Sequence, residues 1–195
     1  MAKLKVLVEG YARKTAGGWE ASSTAVLLED SGKRIVVDPG CNERMLLEAL
    51  GKEMVSPGDV DLVFLTHCHL DHLLNVRLFP GVDVADARNA YRGDEEFALK
   101  GRIPGTGIRI IDTPGHVREH SALLAETGDG VVAVAGDLWW WREGMQPEMP
   151  GEAELLSLED HIAEDKEMLV ASRKAILAMA DLIVPGHGKP FRVEK

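Results

Sequence analysis

Short apolar runs, each closed by a turn signal, recur along the chain. Residues 3–8 alternate charged and apolar side chains, the period-two signature of a half-buried strand. Residues 24–28 and 33–37 flank Asp30-Ser31-Gly32 and predict a hairpin. Apolar runs at 60–65, 82–85 and 108–112 predict further strands. Residues 121–126 and 131–135 pair across Thr127-Gly128-Asp129-Gly130, and 181–184 form a last short strand. Helical spacing replaces alternation in two places. Met45, Leu46, Ala49 and Leu50 recur on one helix face, with Asn42 as cap and Gly51 as stop. Over 152–180, Leu155, Leu158, Ile162, Leu169, Ile176, Leu177 and Met179 predict one long helix or two joined near 157–160. Residues 9–22, 88–102 and 138–151 show neither period and are expected to be irregular. Loops as long as the first and last are often functional.

Composition narrows the class. A chain of 195 residues without repeats or linkers is expected to fold as a single domain, 1–195, with a core that needs no staples. Only Cys41 and Cys68 are present, so a disulfide framework is not expected and the cytoplasm is the default compartment. The amino terminus lacks the apolar core of a signal peptide, and no apolar run approaches a membrane span, so no membrane partner is expected. A net charge of -10 repels a phosphate backbone unless cations gather locally. Nucleic acid is thereby disfavoured without being excluded, and a small-molecule substrate is expected. The oligomeric state is left open.

The chemistry gathers around Thr66-His67-Cys68-His69-Leu70-Asp71-His72, directly after the apolar run 60–65. If the chain stays extended past that strand, His67 and His69 point to one side and Cys68 to the other, toward the core. Asp71 and His72 follow as the chain turns into a short helix, aimed at a second point nearby. The spacing suggests two neighbouring metals. Further candidates stand at strand ends: His116 in Thr113-Pro114-Gly115-His116, Asp137 after the run 131–135, and His187 in Pro185-Gly186-His187-Gly188. Five of the seven histidines thus occupy ligand-like contexts. Asp38, in Asp38-Pro39-Gly40, reads either as a turn former or as a carboxylate holding a ligand imidazole in one tautomer. His120 reads as a supporting or structural residue. Of three consecutive tryptophans, 139–141, some are expected to cover a pocket or to pack on the adjoining helix.

The motif His-x-His-x-Asp-His, with the later His116, Asp137 and His187 and the early Asp38-Pro39-Gly40, resembles the metallo-β-lactamase superfamily. The likeness is strongest to its short subgroup of metallo-β-lactamase domain-containing protein 1 type. That subgroup is similar over 171–174, 185–193 and 8–11, and the chain departs from it over 139–151. The resemblance implies an α/β (α+β) fold, a four-layer αββα sandwich. It implies that His67, His69 and His116 bind one metal, that Asp71, His72 and His187 bind another, and that Asp137 bridges them. Imidazole and carboxylate suit Zn²⁺, so two Zn²⁺ are expected, with iron or manganese accepting the same donors. Two such ions about 3.5–4 Å apart generate hydroxide near neutral pH. The function implied is hydrolysis of an ester, thioester, lactone or amide, with Asp71 orienting the nucleophile or shuttling its proton. Tyr11, Arg13, Trp19, Trp139 and Arg142 are expected to touch substrate, because their loops border the site. A phosphodiesterase or ribonuclease is the alternative with the same metals. A mononuclear iron oxidoreductase of persulfide-dioxygenase type is the alternative from another class.

Overall fold

The computed structural model describes residues 1–193. The first half runs β1 (Lys3–Val8), β2 (Tyr11–Thr15), β3 (Gly18–Ser22), β4 (Ala25–Asp30), β5 (Lys33–Val37), α1 (Glu43–Lys52), β6 (Leu62–Phe64), α2 (Leu70–Leu73), β7 (Asp83–Ala85), β8 (Asn89–Arg92) and β9 (Glu95–Ala98). The second half runs β10 (Arg109–Asp112), β11 (Ser121–Thr127), β12 (Gly130–Trp140), α3 (Glu152–Ser157), α4 (Lys166–Met179), β13 (Leu182–His187) and β14 (Phe191–Arg192). One sheet has the order β1-β4-β5-β6-β7-β8-β9, a second β10-β11-β12-β13-β14, and β2-β3 form a separate hairpin.

Alternation along the central strands builds the layers. Val26 and Leu28 of β4 meet Leu123 and Ala125 of β11 and Val132 and Val134 of β12 in the core between the sheets. The intervening Leu27 packs outward with Leu46 and Leu50 of α1. Ala122, Leu124 and Ala133 pack outward on the other side, against Leu169, Ile176 and Leu177 of α4. Each buried leucine of these faces contributes roughly 1.5–3 kcal/mol. The result is the expected αββα sandwich. Both outer helices are capped from their own sequence: the Asn42 side chain accepts from the Met45 amide at 3.2 Å, and Asp165 accepts from the Met168 amide at 2.9 Å.

Strand direction then gathers the strand ends. β5 runs parallel to β6, and β12 parallel to β13. Two successive antiparallel pairings, β10 with β11 and β11 with β12, leave β10 running with β12. Asp38, His67, His116 and His187 therefore stand at or just past carboxyl ends of strands, and Asp137 joins them on the same rim from within β12.

Four expectations need correction. Residues 9–22 are not a loop: β2 and β3 pair Arg13 with Glu20 and Lys14 with Trp19, a hairpin too polar on its exposed side to show a clear period. Residues 88–102 likewise contain a hairpin, β8-β9, turning at Gly93 with φ 62°. Residues 152–180 are two helices, and the break over 158–165 is wider than a joint at 157–160. β12 also continues through Asp137 to Trp140, so only the residues beyond it are irregular. Among the described residues no helix is long and apolar enough to cross a membrane.

Candidate metal centre

The strand β6 stops at Phe64, and the segment 65–69, bent at Thr66 and His67, brings His67 and His69 together before α2 begins. His67 Nε2 lies 3.0 Å from His69 Nδ1, which lies 3.1 Å from His116 Nε2. Asp137 Oδ2 completes the group, 3.3 Å from His116 Nε2 and 3.8 Å from His67 Nε2. Four donors on a tetrahedron with bonds of about 2.0–2.1 Å stand about 3.3 Å apart. The observed separations straddle that value.

A second group lies on the other side of Asp137. Asp137 Oδ1 is 3.3 Å from His72 Nε2 and 3.7 Å from His187 Nε2, and His187 Nε2 is 3.2 Å from Asp71 Oδ2. In each of the two groups, His67-His69-His116-Asp137 and Asp71-His72-His187, one donor atom per residue lies within 4.8 Å of all the others. His72 Nε2 and Asp137 Oδ1 are buried and have no hydrogen-bond partner among the described residues. Two orphaned polar atoms, both aimed into one gap, are costly unless a cation satisfies them. The donor set fits divalent metal.

The far side of nearly every ring is held. Thr66 Oγ1 has a single proton, and the Asp38 carboxylate at 2.7 Å takes it, so that oxygen accepts from Nδ1–H of His67 at 3.1 Å. His72 Nδ1 is 2.9 Å from Asp38, His116 Nδ1 is 2.6 Å from Asp160, and His187 Nδ1 donates to the Tyr11 carbonyl at 3.0 Å. Each contact leaves Nε2 facing the gap. Besides holding Thr66, Asp38 turns the chain with φ 46° and orients His72. Burial, then the His72 charge, holds His67 well below the ordinary histidine value. Burial alone would lower His72, but the flanking Asp137 and Asp38 outweigh it and hold that ring well above the ordinary value. Burial would raise Asp137; the surrounding imidazoles, His72 foremost, keep it ionised.

Residues 18–105 match the family model described as the metallo-beta-lactamase superfamily. The metallo-beta-lactamase domain-containing protein 1 of Xenopus laevis is 35% identical, over 97% of this chain and 81% of its own. The chain belongs to the metallo-β-lactamase superfamily. The crystal structure of a metallo-β-lactamase-type protein from Thermotoga maritima superposes with a TM-score of 0.70 over 98% of this chain and 99% of that one, at 24% identity. A dizinc quorum-quenching lactonase, AidC, superposes with a TM-score of 0.60 over 88% of this chain and 74% of its own, at 17% identity. The protein is thus a metallo-β-lactamase-fold hydrolase with a His/Asp cluster able to hold metal.

In this superfamily member the cluster opens on a cavity of about 380 Å³, lined by Ala12, Trp19, Ala21, Trp140, Arg142 and Ile162 along with donors of both groups. Of the residues expected to touch substrate, Trp19 and Arg142 border this space. Trp139 does not: it is fully buried and its indole donates to the Leu155 carbonyl at 3.0 Å. Its neighbour Trp140 is the cavity residue. Tyr11 and Arg13 point the other way along β2, into an adjoining cleft of about 580 Å³. Tyr11 reaches the centre only through its carbonyl. His120 joins neither group; its Nδ1 is 2.8 Å from Thr113 Oγ1, and burial, reinforced by His116, pushes its pKa down to about 3. Cys68 turns away as expected but is exposed, not packed in the core, because the strand has already left the sheet. Asp160, His161 and Ile162 were not expected at the site; they lie between α3 and α4, where no motif marks them.

Proposed function

We propose that the protein is a dinuclear, zinc-dependent hydrolase of esters, thioesters, lactones or amides. The observation that carries this reading is the sharing of Asp137: one oxygen faces each group of donors, and the shared centre faces an apolar-walled cavity. Two divalent cations bound there supply Lewis-acid polarisation and a water acidified to near neutral pH.

The chain's own residues do the rest. His67, His69 and His116 would hold one ion, Asp71, His72 and His187 the other, with Asp137 between them. Burial would raise Asp71, but the hydrogen bond to His187 and the His72 charge outweigh it, so the carboxylate stays ionised. Its Oδ2 faces His187, and its side chain borders the cavity. The remaining oxygen is placed to accept a proton from the attacking water and to return it to the departing group. Trp19, Trp140 and Ile162 exclude water from around the acyl portion.

The test is a chelator-controlled panel of para-nitrophenyl esters, thioesters, bis(para-nitrophenyl) phosphate and single-stranded RNA, with elemental analysis of the same preparation. Chelator-sensitive ester or thioester turnover with a zinc-to-chain ratio near two is expected, and His69→Ala removes activity and most of the metal. Turnover confined to the phosphodiester or RNA overturns the carbonyl assignment, and full activity in His69→Ala overturns the site.

A further inference from the structure

We propose that the substrate carries a carboxylate remote from the scissile bond and that Arg142 receives it; this rests on the hydrolase reading above. Arg142 is the only lysine or arginine among the residues lining the cavity. Its guanidinium stacks 5.3 Å from the centre of the Trp19 ring. Stacking occupies the face of the guanidinium and leaves the N–H donors around its edge free. Arg13, on the hairpin that carries Trp19, is already paired: it lies 3.6 Å from Glu20 and 3.7 Å from Glu143. Arg142 has no carboxylate partner among the described residues. The fork is oriented, charged and unused.

The surroundings select the ligand class. The protein carries a net charge of -10, and away from the metal-binding donors Arg142 is the one cationic side chain lining the cavity, so it is the point there to receive an anionic tail. One guanidinium balances one charge. A carboxylate matches it, whereas a phosphate monoester brings nearly two charges against a single cation. Ala12, Trp19, Ala21, Trp140 and Ile162 supply apolar wall to the same cavity, which suits an acyl or aryl body. At about 380 Å³ the space lies near the small end of ligand pockets and takes one small molecule.

The experiment compares para-nitrophenyl monoesters of adipic and suberic acids with the hexanoate and octanoate esters of the same chain lengths, using zinc-loaded protein. The carboxylate-tipped esters are expected to show the higher kcat/KM, with a KM that rises with salt. Arg142→Gln is expected to lower kcat/KM for them about tenfold more than for the uncharged esters, with Arg142→Lys in between. A second readout needs no turnover: quenching of tryptophan fluorescence by suberic acid monoanilide, with octanoic anilide as the uncharged match. Saturable binding of the charged anilide that weakens in Arg142→Gln supports the assignment. Equal kcat/KM for charged and uncharged esters, or a preference that survives Arg142→Gln, overturns it while leaving hydrolysis standing. If none of these esters is cleaved, the ester assignment fails, and the titration alone then decides for or against the carboxylate site.

Discussion

His116 Nδ1 lies 2.6 Å from Oδ2 of Asp160, across 44 residues of sequence. Both side chains are fully buried. Burial would raise the Asp160 pKa, but the hydrogen bond to His116 outweighs it and keeps the carboxylate ionised. The segment between α3 and α4 is thereby tied to the centre, and it also brings Ile162 to the cavity.

Removing that tie is expected to loosen the group without deleting a donor. Asp160→Asn and Asp160→Ala should weaken zinc binding about 10–100-fold, the usual effect of losing the partner behind a ligating imidazole. Competition against a chromogenic chelator measures it. Unchanged affinity in both variants would mean that His116 is oriented by packing alone.

Gly186 separates His187 from Pro185 and lies directly against Asp137. A Cβ there would stand 1.9 Å from Asp137 Oδ1. Gly186→Ala is therefore predicted to push the shared carboxylate out of the gap. Metal content should fall below one ion per chain while the far-ultraviolet circular dichroism stays near that of the parent. Two retained ions would show that Asp137 has room to retreat.

Arg173 of α4 is 1% exposed. It donates from Nε to the Leu138 carbonyl at 2.7 Å and from Nη1 to the Leu158 carbonyl at 2.7 Å. Burial pushes its pKa down to about 10, still protonated at neutral pH. It clamps the residue after Asp137 to the segment that bears Asp160. Arg173→Met should cost about 2–3 kcal/mol of stability by stranding two buried carbonyls. Urea denaturation reads this directly, and a shift under 1 kcal/mol (about fivefold) would reject the clamp.

Metal retention should depend steeply on pH, with a definite sign. Each Nε2 that faces the gap must be unprotonated to bind a cation, so protons compete with metal. His67, held low by burial, is already neutral at neutral pH, whereas His72, held high between Asp137 and Asp38, must give up a proton on loading. Zinc loading in weak buffer is expected to release protons, and affinity should fall as the pH is lowered from about 7 to about 5. Affinity that rises on acidification would contradict this donor set.

The sequence by itself determined what short-range periodicity and local motifs can carry. Alternation marked the central strands, Asn42 marked the start of α1, and the spacing of His67, His69, Asp71 and His72 marked a place where donors gather as a strand ends. Pro-Gly-His, twice, marked two more. Tertiary structure alone decided the contacts made across the chain. Asp160 is one acidic residue in a polar stretch, and nothing local distinguishes it until α3 and α4 set it behind His116. Which of three adjacent tryptophans faces the cavity depends on register shifts between β12 and β13, one of them between Gly136 and Trp140, which send Trp139 into the core and Trp140 to the rim. Tyr11 supplies a carbonyl instead of its ring because β2 is paired, and pairing assigns alternate side chains to opposite clefts. Periodicity reports the face a residue occupies on its own element; the angle and offset at which elements pack decide what that face meets.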